Sequence, residues 1–78
     1  MPVYEIAMLI DARGLTCPMP IVKAAQGMRS VQSGDIVEVL ATDPGAVPDF
    51  EAWARTTGHT LLESSSDAST YRFVIRHK

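Results

Sequence analysis

Apolar and polar positions alternate along the chain in a way that separates six elements. From Val3 to Asp11, Tyr4, Ile6, Met8 and Ile10 recur at period two, which predicts a strand with one apolar face. Its other face, Val3, Glu5, Ala7 and Leu9, is mixed. Asp11 to Thr16 reads as a loop with Gly14 as its flexible point. Ile21, Ala24, Ala25 and Met28 then fall at i, i+3, i+4 and i+7, one buried stripe of a helix, with Lys23, Gln26 and Arg29 off it. Two registers are open for the helix start. Cys17 is the N-cap, with Pro18 at N1 and Pro20 at N3, where missing amides cost nothing. Alternatively the helix begins at Pro20, because Met19 precedes a proline and so resists the α region. Either register leaves Cys17 near a helix N-terminus.

Gln32 to Asp35 is a turn, and Ile36 to Thr42 an apolar strand. Strand, helix and strand make a βαβ unit, so these two strands are expected to be parallel. Asp43-Pro44-Gly45 opens an irregular turn, with the main helix starting near Val47 or Pro48. Phe50, Trp53, Ala54 and Thr57 supply its inner face, and Gly58 stops it. Thr60 to Glu63 reads as a short strand and Ser64 to Ser69 as a polar connection. From Thr70 to Arg76, Tyr71, Phe73 and Ile75 alternate with Arg72, Val74 and Arg76. The last two strands should form an antiparallel hairpin. The order β-α-β-α-β-β predicts an α+β two-layer sandwich: a four-stranded mixed sheet with both helices on one face.

Composition narrows the class. The chain has 78 residues, 46% hydrophobic and 21% charged, which suits a single folded domain spanning residues 1–78. A net charge of −2 lacks the basic footprint of a direct nucleic-acid binder. One cysteine makes neither an internal disulfide nor a Cys-rich zinc site, and no metal is expected. No secretory signal is visible, and the apolar run Ile6 to Ile10 is far short of a membrane span. The expectation is a soluble cytoplasmic protein without membrane insertion.

Cys17 is the chemical focus. A free thiol is only about 3% ionised at pH 7. A helix N-terminus carries roughly half a positive charge and favours an anion, and Arg13 and Lys23 are candidates to add to it; were the pKa to fall to about 7, half of the thiol would be ionised. Lone cysteines are commonly small buried hydrophobes. Cys17, however, lies outside both apolar patterns, follows a Gly-containing loop, and is followed by two rigid prolines without an evident core purpose. Hydrolysis through a Cys–His pair needs a base, and His59 and His77 fall in a turn and the tail. A dithiol cycle needs a second cysteine. What remains is a thiol that carries something covalently and passes it on, or a regulatory adaptor whose Cys17 face is a redox-sensitive docking site. Asp43 is most simply a turn cap, although it follows a parallel strand at the sheet edge where Cys17 lies. Phe50 and Trp53 are core candidates.

The segment Asp11-Ala12-Arg13-Gly14-Leu15-Thr16-Cys17-Pro18-Met19-Pro20, followed by a helix with Lys23, resembles the TusA/SirA-like sulfur carrier family. The family's signature is Cys-Pro-X-Pro at the start of the first helix. The resemblance continues through Ser33-Gly34-Asp35, Ala41 to Gly45, Thr57-Gly58-His59 and Phe73 to Arg76. It implies that Cys17 accepts sulfane sulfur as a persulfide and hands it to a partner protein, with no separate cofactor. Donors of that family are cysteine desulfurases or rhodanese-type proteins. Its members serve tRNA thiolation, sulfur oxidation, thiosulfate uptake or molybdenum enzymes. Pro18, Pro20 and Gly14 would position the thiol. Arg13, Met19, Lys23 and Asp43 would support it or dock partners, on a monomer that forms transient complexes. Met19 stands where some members carry a charge, which bears on partner choice. Ala41 to Phe50 looks more like the carriers of sulfur-oxidising bacteria than the tRNA branch.

Overall fold

A computed structural model describes residues 4–78. Strand β1 (Ile6–Ala12) leads into helix α1 (Met19–Met28), then β2 (Ile36–Ala41), α2 (Ala46–Thr57), β3 (Thr60–Asp67) and β4 (Thr70–Arg76). The four strands form one sheet in the order β1-β2-β4-β3. β1 and β2 run parallel, as a crossover through α1 requires, and β4 pairs antiparallel with both β2 and β3.

One face of the sheet carries the core. Ile10 sits beside Val39 and Ala12 beside Ala41, while Val37 faces Ile75 and Val39 faces Phe73. These side chains are buried together with Ala24 and Met28 from α1 and Ala46 and Phe50 from α2. Both helices therefore cover the same face. Phe50 stacks on Phe73 with ring centroids 4.5 Å apart and meets Trp53 edge-on at 5.9 Å. The opposite sheet face has no helix. There Arg72 bridges Glu38, at 2.6 Å, and Glu63, at 2.9 Å, so its guanidinium is paired across three strands rather than free.

Several boundaries differ from the expectation. β1 begins at Ile6, not Val3; Tyr4 and Glu5 precede the strand, and Val3 lies outside the described residues. Helix α1 takes neither expected register, because Pro18 is the N-cap and Met19 the first helical residue. Burial outweighs the local preference of a pre-proline residue: a helical Met19 lets Pro20 pack into the core, where it is fully buried. Pro20 thus has the core purpose that its sequence context had not suggested. Helix α2 starts at Ala46, with Gly45 as N-cap, and holds Pro48 within its first turn, where no intrahelical amide bond is lost. The serine run is strand, not connection: Ser64, Ser65 and Ser66 pair with Phe73, Arg72 and Tyr71, and only Ala68 and Ser69 make the turn. Backbone pairing with β4 suffices there without an apolar pattern. No helix among the described residues is long and apolar enough to cross a membrane.

Candidate functional site

The ends of β1 and β2 lie side by side, so the loops that leave them meet. The first loop turns on Gly14, at φ 81, a left-handed conformation that suits glycine. The Gly14 amide donates to Thr42 Oγ1 at 2.9 Å, which ties this loop to the end of β2. Upstream, Arg13 clamps Asp11: its backbone N–H and Nε donate to Oδ1 at 3.1 and 2.9 Å, and Nη2 donates to Oδ2 at 3.0 Å. The guanidinium holds the Asp11 carboxyl down at about 2. Lys23, one turn into α1, donates to the Asp11 carbonyl at 2.9 Å. Both cations are therefore engaged with the end of β1, not with the cysteine.

Cys17 is exposed at the N-terminal end of α1, two residues before its first helical residue. Its backbone N–H donates to Asp43 Oδ2 at 2.9 Å. Asp43 Oδ1 accepts from the Gly45 N–H at 3.1 Å, and the Asp43 carbonyl accepts from Ala46 at 2.9 Å. Asp43 is thus both the turn cap and a direct contact of Cys17: one carboxylate joins the Cys17 loop to the start of α2. The Cys17 thiol donates to Asp49 Oδ2 at 2.9 Å. Asp49 was not among the expected site residues. Its acidic place in the first turn of α2 reads in sequence as a companion of the helix dipole. The signal that would have found it is the pair Asp43 and Asp49, six residues apart on either side of the start of α2, at the sheet edge where Cys17 sits.

The thiol's electrostatics reverse the expectation. Its hydrogen bond to Asp49, partial desolvation, and the charges of Asp49 and Asp43 push the Cys17 pKa up. The helix terminus offers little against this. Pro20 has no amide hydrogen, and the Met19 N–H already donates to the Thr16 carbonyl at 2.9 Å. Both nearby carboxylates favour the protonated sulfur.

Around the sulfur, Pro18 and Met19 are exposed, Met19 at 44%, and Val22 is exposed one turn further along α1. The histidines lie elsewhere. His59 lies beyond the C-terminal end of α2, an end that is about 12 Å along the helix from Asp49 at 1.5 Å per residue. Its ring stands 4.8 Å from that of His77. Cys17 therefore has no histidine base. Among the described residues no three His, Cys, Asp or Glu side chains cluster as a metal site.

The family described as sulfurtransferase TusA matches residues 8–77. The chain belongs to the TusA family. A Neisseria meningitidis protein, provisionally named as a sulfur carrier, is 46% identical over 69 residues, covering 88% of this chain and 93% of that one. The sulfur carrier protein TusA of Allochromatium vinosum is 43% identical over 67 residues, covering 86% and 88%. A solved SirA-like protein from Desulfitobacterium hafniense superposes with a TM-score of 0.78 over 88% of this chain and 95% of that one. At 24% identity it speaks for the fold alone.

Proposed function

We propose that this TusA-family chain carries sulfane sulfur as a persulfide on Cys17 and passes it between two proteins. The observation that carries the reading is an exposed lone thiol on a rigid helix start, with no second thiol, histidine base or metal cluster beside it among the described residues. Such a site can hold and release a group but not turn over a substrate by itself. In loading, the Cys17 sulfur attacks the outer sulfur of a donor persulfide. The donor's S–S bond breaks, a new one forms on Cys17, and the proton of Cys17 goes to the departing donor thiolate. The exchange conserves oxidation state, so no cofactor is required.

The donor on this reading is a cysteine desulfurase or a rhodanese-type protein, and the acceptor a second protein thiol. Exposed Met19 and Val22 give the docking face an apolar part beside the sulfur. Arg13 and Lys23 act indirectly, by holding the end of β1 on which the Cys17 loop hangs. Gly14 and Pro18 set the loop's course, and Pro20 anchors it in the core. Exposure of the thiol suits a monomer that meets its partners transiently.

Intact mass after incubation with a desulfurase and cysteine, or with a rhodanese and thiosulfate, tests this. One added sulfur atom is expected, removed by reductant and absent in Cys17→Ser. A wild-type protein left unmodified by both donors and by polysulfide would instead favour the adaptor reading of the Cys17 face.

A further inference from the structure

A sulfur carrier should react with the right partner and with little else. The arrangement around Cys17 addresses that requirement. The thiol proton points at Asp49 Oδ2 across 2.9 Å, and the amide of the same residue is held by Asp43 Oδ2 at 2.9 Å. Two carboxylates from the start of α2 thus grip one cysteine from both its sulfur and its backbone. Arg13 and Lys23, the cations closest in sequence, are turned onto Asp11 and leave this acidic pair without a cationic side chain. The leading amide of α1 is occupied by Thr16.

We propose that Asp49 guards Cys17: it holds the empty carrier's sulfur as an inert thiol against α2, and loading releases that hold. The guard follows from hydrogen-bond chemistry. A carboxylate accepts from S–H but has nothing to offer S⁻, and a thiolate at this position would face two negative charges at once. The nucleophilic form is therefore disfavoured until a partner supplies compensating charge or a proton reaches Asp49.

Loading changes the sign of the contact. The inner sulfur of Cys17–S–SH has no proton left to donate. The outer S–H is more acidic than the parent thiol and loses its proton to water more readily. The hydrogen bond to Asp49 is then gone, and the anionic outer sulfur is repelled from Asp49 and Asp43 towards the open side of the site, beside exposed Met19. One carboxylate thus treats the two states of the carrier oppositely. The second half of this proposal rests on the sulfur-carrier reading; the first half concerns the bare thiol and stands without it.

The two halves are tested separately. Rates of alkylation by iodoacetamide, followed by intact mass across pH 6 to 10 (about the range over which thiols titrate), report the thiolate of the empty protein. In Asp49→Asn the Cys17 pKa is expected to fall by about one unit or more as the repelling charge goes. At pH 7 the rate is then expected to rise about threefold per unit, because a less basic thiolate is also a weaker nucleophile. Asp49→Glu should restore part of the slow rate, which a merely structural role would not do. Asp49→Ala serves if the amide disturbs α2, with circular dichroism reporting the fold. Coincident pH profiles for wild type and the folded variants would overturn the guard. On polysulfide-loaded protein, the alkylation rate of the outer sulfur should differ less than about twofold between wild type and Asp49→Asn, well under the change in the empty protein. An equal sensitivity in both states would overturn the release. Failure to load at all would count against the sulfur-carrier reading while leaving the empty-protein result intact.

Discussion

Asp43 shows how much one side chain settles at this site. Its two carboxylate oxygens and its carbonyl accept three backbone amides, from Cys17, Gly45 and Ala46. Asp43→Ala removes the two side-chain bonds and should lower stability by about 1–2 kcal/mol, the usual net worth of two hydrogen bonds, measured by urea denaturation. It should also loosen the Cys17 loop, seen as faster amide exchange at Cys17. Asp49 is different in kind, since its contact is with the Cys17 sulfur. Sequence reading found Asp43 as a cap and as a residue at the right sheet edge, but missed Asp49. A carboxylate in the first turn of a helix already has a sufficient local explanation, so nothing in the sequence calls for a second role.

The helices carry a comparable lesson. In α1, Gly27 allows the helix to lie close against β1. A Cβ there would come within 2.5 Å of Ile10 Cδ1 and 3.2 Å of Met8 Sδ. Gly27→Ala gains about 1 kcal/mol of helix propensity but incurs overpacking of about 1–3 kcal/mol, so a net loss near 1 kcal/mol is expected. Ile10→Val removes the Cδ1 atom. The double variant should therefore be less destabilised than the sum of the singles, and a thermal-melt double-mutant cycle measures that coupling. The helix period was legible from Ile21 to Met28. The burial of Pro20 was not, because proline reads as punctuation and its packing depends on what lies across from it. The serine run of β3 was opaque for a related reason: a strand edge held by backbone bonds to β4 leaves no hydrophobic alternation to read.

Across the molecule, the two ends of α2 do unlike things. Its start belongs to the thiol site. Its far end packs His59 against Trp53 and His77, where Nδ1 of His59 accepts from the Lys78 amide at 3.1 Å. Burial, and then the nearby His77 and Lys78, lower the His59 pKa below its ordinary 6.5. A histidine lowered in the folded state binds its proton more readily when unfolded. Its contribution is therefore present above pH 6.5 and is lost as the pH falls below that value. The melting temperature should drop between pH 7 and pH 5, and His59→Asn should flatten that part of the profile.

Apolar spacing, read together with turn residues and element order, placed six elements, the parallel βαβ unit, the hairpin and both helices on one face, because that spacing records which side of an element must leave water; it fell short where β3 runs on past Glu63. The lone cysteine beside prolines pointed to group carriage for a similarly local reason: the chain holds no second thiol, and its two histidines fall in a turn and the tail. The charge environment of that cysteine was decided in three dimensions. Arg13 and Lys23 are near Cys17 in sequence but spend their charge on Asp11, while Asp43 and Asp49, from the neighbouring strand–helix junction, reach the sulfur and its amide. Electrostatic interactions act through space and depend on direction, so proximity along the chain predicted the wrong sign for the thiol.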